Sequence, residues 1–429
     1  MTAAPPPPAR LAASAGLVAA LISGCASAPT GQAPGPVGEP QIRTALHPIT
    51  PDTVLSPEDL RDLGRAIGDS RIVLLGENGH GVAQFTTLKS GLVRWLHQEM
   101  GFEVLAVESG YAECEAVNAQ LPGLPLSDAI RRCMAYAFEH AELQPLFRYL
   151  GQQRGSGRPV WLSGLDLQTQ GADSRSRPGH LRDSLRRIAP AYAVLVGALD
   201  STLLARTAAG PDSLRQWVRA EGDAARALYD SAAAQATGTV RWMLLGAGVL
   251  LDRLVSREAA AASGRPAPVR FYQRRDEWMA RTVSWLADSV GGPRKVVVWL
   301  HNDHARSGSW MTPAGPARAT GSLLRETYPG RVYSIGFFMG RGAVADNSRR
   351  VLPMLAPPEE GIERALASNG ERGAYLLLSS RAVPAAQGWA KVMRHYLRNG
   401  LVLDSLIPAR EFDALMYVDS VTPAGYRLP

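Results

Sequence analysis

The sequence predicts an α/β fold, a mostly parallel β-sheet flanked by helices, with a long helical insertion. Short apolar runs, rich in valine, isoleucine and leucine, alternate with longer stretches of helical periodicity. A segment from about residue 179 to 264 departs from this alternation, because it is rich in Ala, Leu and Arg and has few strand signals. This order of elements predicts helices packed on a sheet, with a helical hairpin or small bundle inserted between strands.

The first 25 residues predict a lipoprotein signal peptide. The apolar stretch 11–22 is too short for a membrane span and suits a signal-peptide core. It runs into Leu21-Ile-Ser-Gly-Cys25, which is similar to a bacterial lipobox. An ordinary secretory signal cleaved near Ala28 is the alternative. We expect lipidation at Cys25 and, since Ala26 rather than Asp follows it, a place on the periplasmic side of the outer membrane.

Residues 26–57 predict a flexible tether, because they are rich in Pro, Gly, Ala, Ser and Thr. Residues 58–425 are predicted to form a single α/β domain that includes the helical insertion. A composition of 46% hydrophobic and 20% charged residues is typical of a globular protein. The net charge is +7, but Lys and Arg are spread along the chain, so we expect no nucleic-acid partner.

Three cysteines are present in the chain. With Cys25 as the lipid site, Cys114 and Cys133 remain. In an oxidising compartment these two could pair, and the alternative is two buried free thiols. The sequence leaves both possibilities open, and neither cysteine has a metal-ligand spacing.

The domain begins with a helix. Ser56-Pro-Glu-Asp-Leu60 has the N-cap Ser, the first-turn Pro and the acidic residues of a helix start. The helix after the first strand has an apolar stripe that includes Leu88 and Leu92, and Lys89 lies off that stripe. Strands are predicted at 72–75, 102–107, 159–163, 295–300, 332–338, 374–379 and 413–418. Outside the insertion, helices are predicted at 56–67, 84–100, 111–121, twice within 126–153, at 271–289 and at 321–327.

A glycine-rich polar turn follows the first strand. Gly76-Glu-Asn-Gly-His-Gly81 places three glycines among a carboxylate, an amide and an imidazole. Glycine permits φ > 0 and close approach of the backbone to a ligand. The turn lies between the carboxyl end of a buried strand and the start of a helix, where open α/β sheets bind ligands. Glu77 and His80 are therefore candidate site residues.

Further polar residues follow other predicted strands. Glu108 and Asp166 each follow a strand, and His301 and His304 follow the strongest strand signal in the sequence. The carboxyl ends of parallel strands share one edge of the sheet. We therefore expect these four residues to converge with Glu77 and His80 on one cleft.

Three kinds of chemistry fit this set of residues. In the first, a neutral His takes a proton from water and a carboxylate fixes its tautomer. In the second, His301-Asn-Asp-His304 holds zinc or manganese together with Glu77, His80 and Glu108, although the spacing is not that of a metalloprotease helix. Covalent catalysis is the least favoured, because no Gly-x-Ser-x-Gly elbow is present.

The residues of the two histidine-bearing segments resemble the erythromycin esterase family. The order of the matching pieces is kept from about residue 55 to 425. The matching pieces are Leu75-Gly-Glu-Asn-Gly-His-Gly81, Phe85, Leu88-Lys89, Glu99-Met-Gly-Phe102, Ala106-Val-Glu-Ser109, Gly164-Leu-Asp166, Arg275-Asp276, Met279-Ala280, Val298-Trp-Leu-His-Asn-Asp-His-Ala305 and Phe412-Asp-Ala-Leu-Met-Tyr417.

The resemblance implies hydrolysis of a macrolide lactone or related ester by water, without a metal or other cofactor. His80 matches the family's general base, and Glu77 and Glu108 match the acids that orient it. His301 and His304 match its paired site histidines, which would polarise the ester carbonyl or protonate the leaving alkoxide. The expected partners are a small-molecule ester or lactone and, through the lipid anchor, the membrane.

Two positions depart from the family pattern. Lys89 stands where the family usually has Arg, and Lys lacks the planar fork that pairs with a carboxylate through two bonds. Gly79 stands where a small hydroxyl residue is usual.

We expect Lys89, Asp166 and Arg275 to bind substrate. The alternatives are a metal-dependent hydrolase or transferase in the same cleft, or a non-catalytic ligand-binding lipoprotein of the envelope.

Overall fold

The computed structural model describes residues 40–51, 55–167, 176–289, 292–367, 370, 372–378 and 388–428. The chain divides into the units Met1–Val37 and Gly38–Pro429, and the description below concerns the second. The predicted signal peptide, Cys25 and residues 26–39 of the predicted tether lie outside the described residues. No helix in the described ranges is both long enough and apolar enough to cross a membrane.

The strands form one large sheet and two small hairpins. In chain order the strands are β1 Leu46–Ile49, β2 Ile72–Leu75, β3 Val104–Gly110, β4 Trp161–Asp166, β5 Val296–Trp299, β6 Ser309–Thr312, β7 Gly315–Arg318, β8 Val332–Ala345, β9 Val351–Pro353, β10 Gly373–Leu377, β11 Arg394–Arg398, β12 Val402–Leu406 and β13 Ala414–Val421.

The helices include four in the insertion. The α-helices are α1 Pro40–Arg43, α2 Arg61–Ile67, α3 Ala83–Met100, α4 Tyr111–Gln120, α5 Leu126–Cys133, α6 Gln144–Arg154, α7 Ser176–Ile188, α8 Pro190–Ala208, α9 Pro211–Gln235, α10 Gly238–Ala262, α11 Val269–Asp288, α12 Asn302–Ala305, α13 Thr320–Thr327, α14 Ile362–Leu366 and α15 Pro408–Glu411. Short 3₁₀ helices are Leu121–Gly123, Tyr136–Phe138 and Ala141–Leu143.

The large sheet is mixed but mostly parallel, which confirms the predicted fold class. Over the described residues its strand order is β1-β10-β13-β8-β2-β5-β3-β4, with β9 paired to β8. The run from β13 to β4 is parallel throughout. β10 is antiparallel to both of its neighbours, and β9 is antiparallel to β8.

Two apolar cores hold these layers together. The first joins one face of the sheet, including Val73 and Trp299, to the apolar stripe of α3. The second joins α7 to α10 with residues of α4 and α11, and it includes Tyr229 and Leu244. Burial of large apolar side chains against a sheet and inside a helical layer is what stabilises such a fold. The predicted helical insertion is therefore confirmed.

The structure corrects the predicted tether at its carboxyl end. Within residues 26–57, Pro40–Arg43 is helical and β1 pairs with β10 along the edge of the sheet. The edge pairing accommodates Pro48, which cannot donate to a central ladder. Hence the folded domain begins before residue 58.

Four strands extend beyond the ends that the sequence predicted, and this changes where two site residues lie. β3 continues to Gly110, so Glu108 lies within the strand, at an irregularity in its pairing with β4. β4 continues to Asp166, so Asp166 is the last residue of its strand. β8 continues to Ala345 and β13 to Val421. The hairpins β6–β7 and β11–β12 and the strand β9 were not predicted.

Cys114 and Cys133 form a disulfide bond. It joins α4 to the end of α5, and both sulfur-bearing side chains are buried. The question that the sequence left open is therefore answered in favour of pairing.

Candidate active site

The register of the central strands brings the predicted site segments to one edge of the sheet. Leu75, the last residue of β2, pairs with Trp299, the last residue of β5. On the other side of β5, Trp299 pairs with Val107 of β3. Because these strands are parallel, the residues that follow them leave the sheet side by side.

The glycine-rich turn after β2 requires glycine at two points. Gly79 has φ +123°, which L side chains rarely adopt. A Cβ atom at Gly76 would lie 2.2 Å from Oδ1 of Asn302, so the first residue of the turn must lack a side chain. The turn consequently packs directly against the start of α12.

Glu77 connects an imidazole and an ammonium group. The Nδ1–H of His80 donates to Oε1 of Glu77 over 2.7 Å, and Nζ of Lys89 donates to Oε2 over 2.9 Å. Burial raises the pKa of Glu77, but Lys89 and then His80 more than offset it, and the pKa lies below its ordinary value. An ionised Glu77 accepts both bonds and fixes the proton of His80 on Nδ1.

His80 is the member of this group that reaches solvent. Its side chain is 14% exposed, whereas that of Glu77 is 1% exposed. In the part of the chain that the structure describes, no hydrogen-bond partner reaches Nε2 of His80. The ring packs against Phe138, with ring centroids 4.6 Å apart, and against His301, at 5.2 Å. The unprotonated Nε2 is thus available to a ligand.

Lys89 lies where substrate cannot touch it, contrary to the expectation of substrate binding. Its side chain is 0% exposed, and Nζ lies 4.3 Å from the ring centroid of Trp299. Burial lowers the pKa of Lys89 to about 8, although Glu77 raises it. Lys89 therefore acts on the site through Glu77.

Arg275 binds both carboxylates that were predicted after β3 and β4. Its Nη2 donates to Oε1 of Glu108 and to Oδ2 of Asp166, each over 2.6 Å. Its Nη1 lies 2.8 Å from Nε2 of His304. Burial alone would raise the pKa of Glu108, but Arg275 and then the site histidines lower it far below its ordinary value. Asp166 and Arg275 thus support the site through this network, and contact with a substrate stays a prediction.

His301 is held as a neutral imidazole. Its backbone N–H donates to Oε2 of Glu108 over 2.7 Å, and its Nδ1 accepts the backbone N–H of Asp303 over 3.1 Å. The proton is therefore on Nε2, which donates to Oδ1 of Asn399 over 2.9 Å. Burial, and then the neighbouring His80, lower the pKa of His301 by more than Asp303, Glu108 and the bond to Asn399 raise it.

His304 is bound on both nitrogens by other protein groups. Its Nδ1–H donates to Oδ1 of Asp276 over 2.8 Å, so the Nε2 that faces Arg275 is the acceptor. Asp276 also accepts bonds from Thr320 and from the indole of Trp310. Burial lowers the pKa of His304, but Asp276 and Glu108 together leave it raised. His304 is consequently a fixed part of the wall of the site.

The structure thus brings all the sequence-predicted residues to one edge of the sheet, and their catalytic roles stay predictions. It also adds residues that the sequence did not single out for the site. Asp276, next to Arg275 in the matching motif, orients His304. Asn78 and Asn399 hold the segment beside His301, and an Asn-Gly pair at 399–400 is a hairpin signal that could have drawn attention to it.

The donor set of the cleft does not fit a resident metal ion. Across the described ranges, no group of three or more His, Cys, Asp and Glu side chains is arranged to hold one. Both ring nitrogens of His301 and His304 are used in bonds to protein groups. A metal would have to displace several of these bonds.

Sequence comparisons place the chain among known proteins. A family model described as Erythromycin esterase matches residues 97–421. YbfO of Bacillus subtilis (strain 168), whose name includes the word hydrolase, is 24% identical over 397 residues, 86% of this chain and 88% of that protein. Erythromycin esterase type II of Escherichia coli is 30% identical over 115 residues, 27% of each chain.

Solved structures share the fold. A mutant of erythromycin esterase EreC in its open conformation has a TM-score of 0.64 at 17% identity, covering 87% of this chain and 97% of that chain. A succinoglycan biosynthesis protein has a TM-score of 0.75 at 18% identity, covering 91% and 98%. A Bacillus cereus protein has the same TM-score at 17% identity, covering 91% and 100%. Since the family model spans most of the sheet and the insertion, the chain belongs to the erythromycin esterase family.

Proposed function

We propose that this hydrolase of the erythromycin esterase family opens a lactone or related carboxylic ester, with macrolide lactones as the candidate class. The nucleophile is a water molecule that His80 deprotonates. The observation that carries the proposal is the bond between Glu77 and His80, which leaves an unprotonated, accessible Nε2 on the imidazole. The name of the Escherichia coli relative supports the choice of ester.

In the first step, Nε2 of His80 takes a proton from water as the water oxygen attacks the ester carbonyl. The imidazolium that forms is stabilised by the ionised Glu77 on Nδ1. His301, 5.2 Å from His80 between ring centroids, polarises the carbonyl oxygen when its Nε2–H exchanges the oxygen of Asn399 for that of the substrate.

In the second step, the tetrahedral intermediate collapses and the carbon–oxygen bond of the ester breaks. His80 returns its proton to the leaving alkoxide, so a lactone and water give one hydroxy acid. Glu108 and Arg275 hold the backbone of His301 and the ring of His304 during both steps. This arrangement supports chemistry in which the protein groups alone move protons.

Turnover of a macrolide panel by the metal-stripped mature protein, followed by mass spectrometry, tests the proposal. The expected product is heavier than the substrate by one water and is absent with His80→Asn. An unchanged rate in His80→Asn would overturn the assignment of the base. Product that forms only after metal is added back would favour the metal-dependent alternative, and tight binding without product would favour the ligand-binding lipoprotein.

We also propose that the protein is anchored in the cell envelope through a lipid on Cys25. The lipobox-like sequence supports this, and the Cys114–Cys133 disulfide fits an oxidising compartment. Metabolic labelling with a radioactive fatty acid should label the wild-type protein and not Cys25→Ser. Equal labelling of both would exclude Cys25 as the lipid site.

A further inference from the structure

The β11–β12 hairpin carries its turn to the edge of the candidate active site. Asn399 and Gly400 form the tip, and both have positive φ, 56° and 72°. Asparagine is one of the few residues other than glycine that tolerates this region. Asn399 therefore provides a side-chain amide at a position whose backbone is left-handed.

The hairpin tip is fixed to the glycine-rich turn after β2, to the segment after β9 and to α14. Asn78 donates from Nδ2 to the carbonyl of Leu397 and accepts the backbone N–H of Asn399, each over 2.7 Å. The backbone N–H of Leu355 donates to the carbonyl of Gly400 over 3.0 Å. Glu363 accepts the N–H of Leu397 over 2.8 Å. These bonds leave the Asn399 amide little freedom to move.

The amide of Asn399 meets the only nitrogen of His301 that can carry the proton of the neutral ring. Nδ1 of His301 already accepts a hydrogen bond from the backbone N–H of Asp303. A proton on Nδ1 would point at that N–H group and break the bond. The Nε2–H donates to Oδ1 of Asn399 over 2.9 Å. This bond to a neutral amide oxygen raises the pKa of His301 by less than the charge of Asp303 does, whereas a carboxylate in its place would favour a second proton on the ring.

We propose that Asn399 is a positioning residue that keeps His301 as the neutral Nε2–H tautomer beside His80. The consequence for turnover rests on the proposed function. When His80 takes a proton from water, a neutral neighbour at 5.2 Å does not repel the new charge. The charged and titratable groups that face His301 are Glu108, Asp303 and His80, with Arg398 behind Asp303.

Asn399→Asp gives the sharpest test because it keeps the shape and the acceptor and adds a negative charge. With Asp in place, the pKa of His301 should rise by about one unit or more. Nitrogen-15 NMR of histidine-labelled protein should then show His301 protonated at pH values where the wild-type ring is neutral. The acid limb of the kcat/KM profile should move to higher pH by a similar amount.

Asn347→Asp is the matched control, since Asn347 lies in an exposed turn and the substitution adds the same charge. Its His301 signals and pH profile should equal those of the wild type. Asn399→Gly keeps the positive φ and removes the acceptor. In that variant we expect a mixture of His301 tautomers and a fall in kcat of about tenfold with little change in KM.

A failure of the role of Asn399 can be distinguished from a failure of the proposed function, because the NMR measurement needs no substrate. Identical His301 titration and tautomer signals in the wild type, Asn399→Asp and Asn399→Gly would overturn the role of Asn399. Altered signals in a protein that hydrolyses no ester would support that role and reject the proposed function instead.

Discussion

Lys89 and Glu77 form a fully buried ion pair directly behind His80, with Nζ and Oε2 2.9 Å apart. Glu77, which binds His80, is thus itself bound by the ammonium group of Lys89, which is not exposed to solvent. Unpaired charges are costly in such a place, because neither water nor another ion replaces the missing partner.

Removing that cation should destabilise the fold strongly. Lys89→Met leaves Glu77 buried without its ion-pair partner, and we expect a loss of about 3–5 kcal/mol in the free energy of unfolding. Chemical denaturation measures this loss. Arg226→Met is the control, because it breaks an exposed pair with Asp230 and should cost at most about 1 kcal/mol. Equal losses in both variants would contradict the structural assignment.

The lowered pKa of Lys89 predicts how the free energy of unfolding changes with pH. Folding lowers the pKa of Lys89 from 10.5 to about 8, so between these values the unfolded chain binds more protons than the folded protein. The contribution of Lys89 to stability therefore increases as pH rises through this window. Lys89→Arg stays charged throughout. The free energy of unfolding of the wild type minus that of the variant should rise from pH 8 to 10, and a flat or falling difference would refute the pKa assignment.

Arg275→Lys should show whether the candidate site needs only the positive charge of Arg275 or also the geometry of its guanidinium group. A lysine ammonium keeps the positive charge but cannot hold Glu108, Asp166 and His304 together as the guanidinium does. We expect kcat/KM to fall by about a hundredfold while the protein remains folded. Arg274→Lys, next in sequence and paired with Asp252, should keep its activity. Steady-state kinetics and circular dichroism on both variants provide the comparison.

Loss of the disulfide should lower stability more than activity. The bond closes a loop with a sequence separation of 19, for which chain entropy predicts about 3 kcal/mol. Urea denaturation of Cys114→Ser/Cys133→Ser should show this loss, whereas turnover well below the melting temperature should persist. If the double variant matched the wild type in stability, the bond would contribute nothing to the fold.

The parts of the fold that local sequence determines were predictable. Ile72–Leu75 is a short, continuous apolar run followed by glycines, and its limits were identified correctly. Glu77 and His80 could be identified as candidate site residues from that strand, because residues just after a parallel strand lie at the edge of the sheet where ligands bind. By contrast, Arg394–Arg398 of β11 is mostly polar and carries little strand signal.

The remaining parts depend on contacts between distant segments. Lys89 lies off the apolar stripe of α3, yet it is buried because Glu77, Trp299 and the helix enclose it. No periodicity within α3 contains that information. Asn399 likewise acquires its place only when the hairpin tip meets the turn after β2. Hydrogen-bond partners so far apart in the chain are not encoded in local patterns.

The bond between Asn78 and Asn399 joins residues 321 positions apart. The candidate site is therefore incomplete until synthesis has passed residue 399, and closing so long a loop is entropically slow. A nascent polypeptide that ends before residue 399 lacks the hairpin tip and cannot form the bond between Asn78 and Asn399. Assembly of the candidate site thus has to wait for the hairpin, and a fragment that ends before it also lacks β13, which lies between β10 and β8 in the sheet.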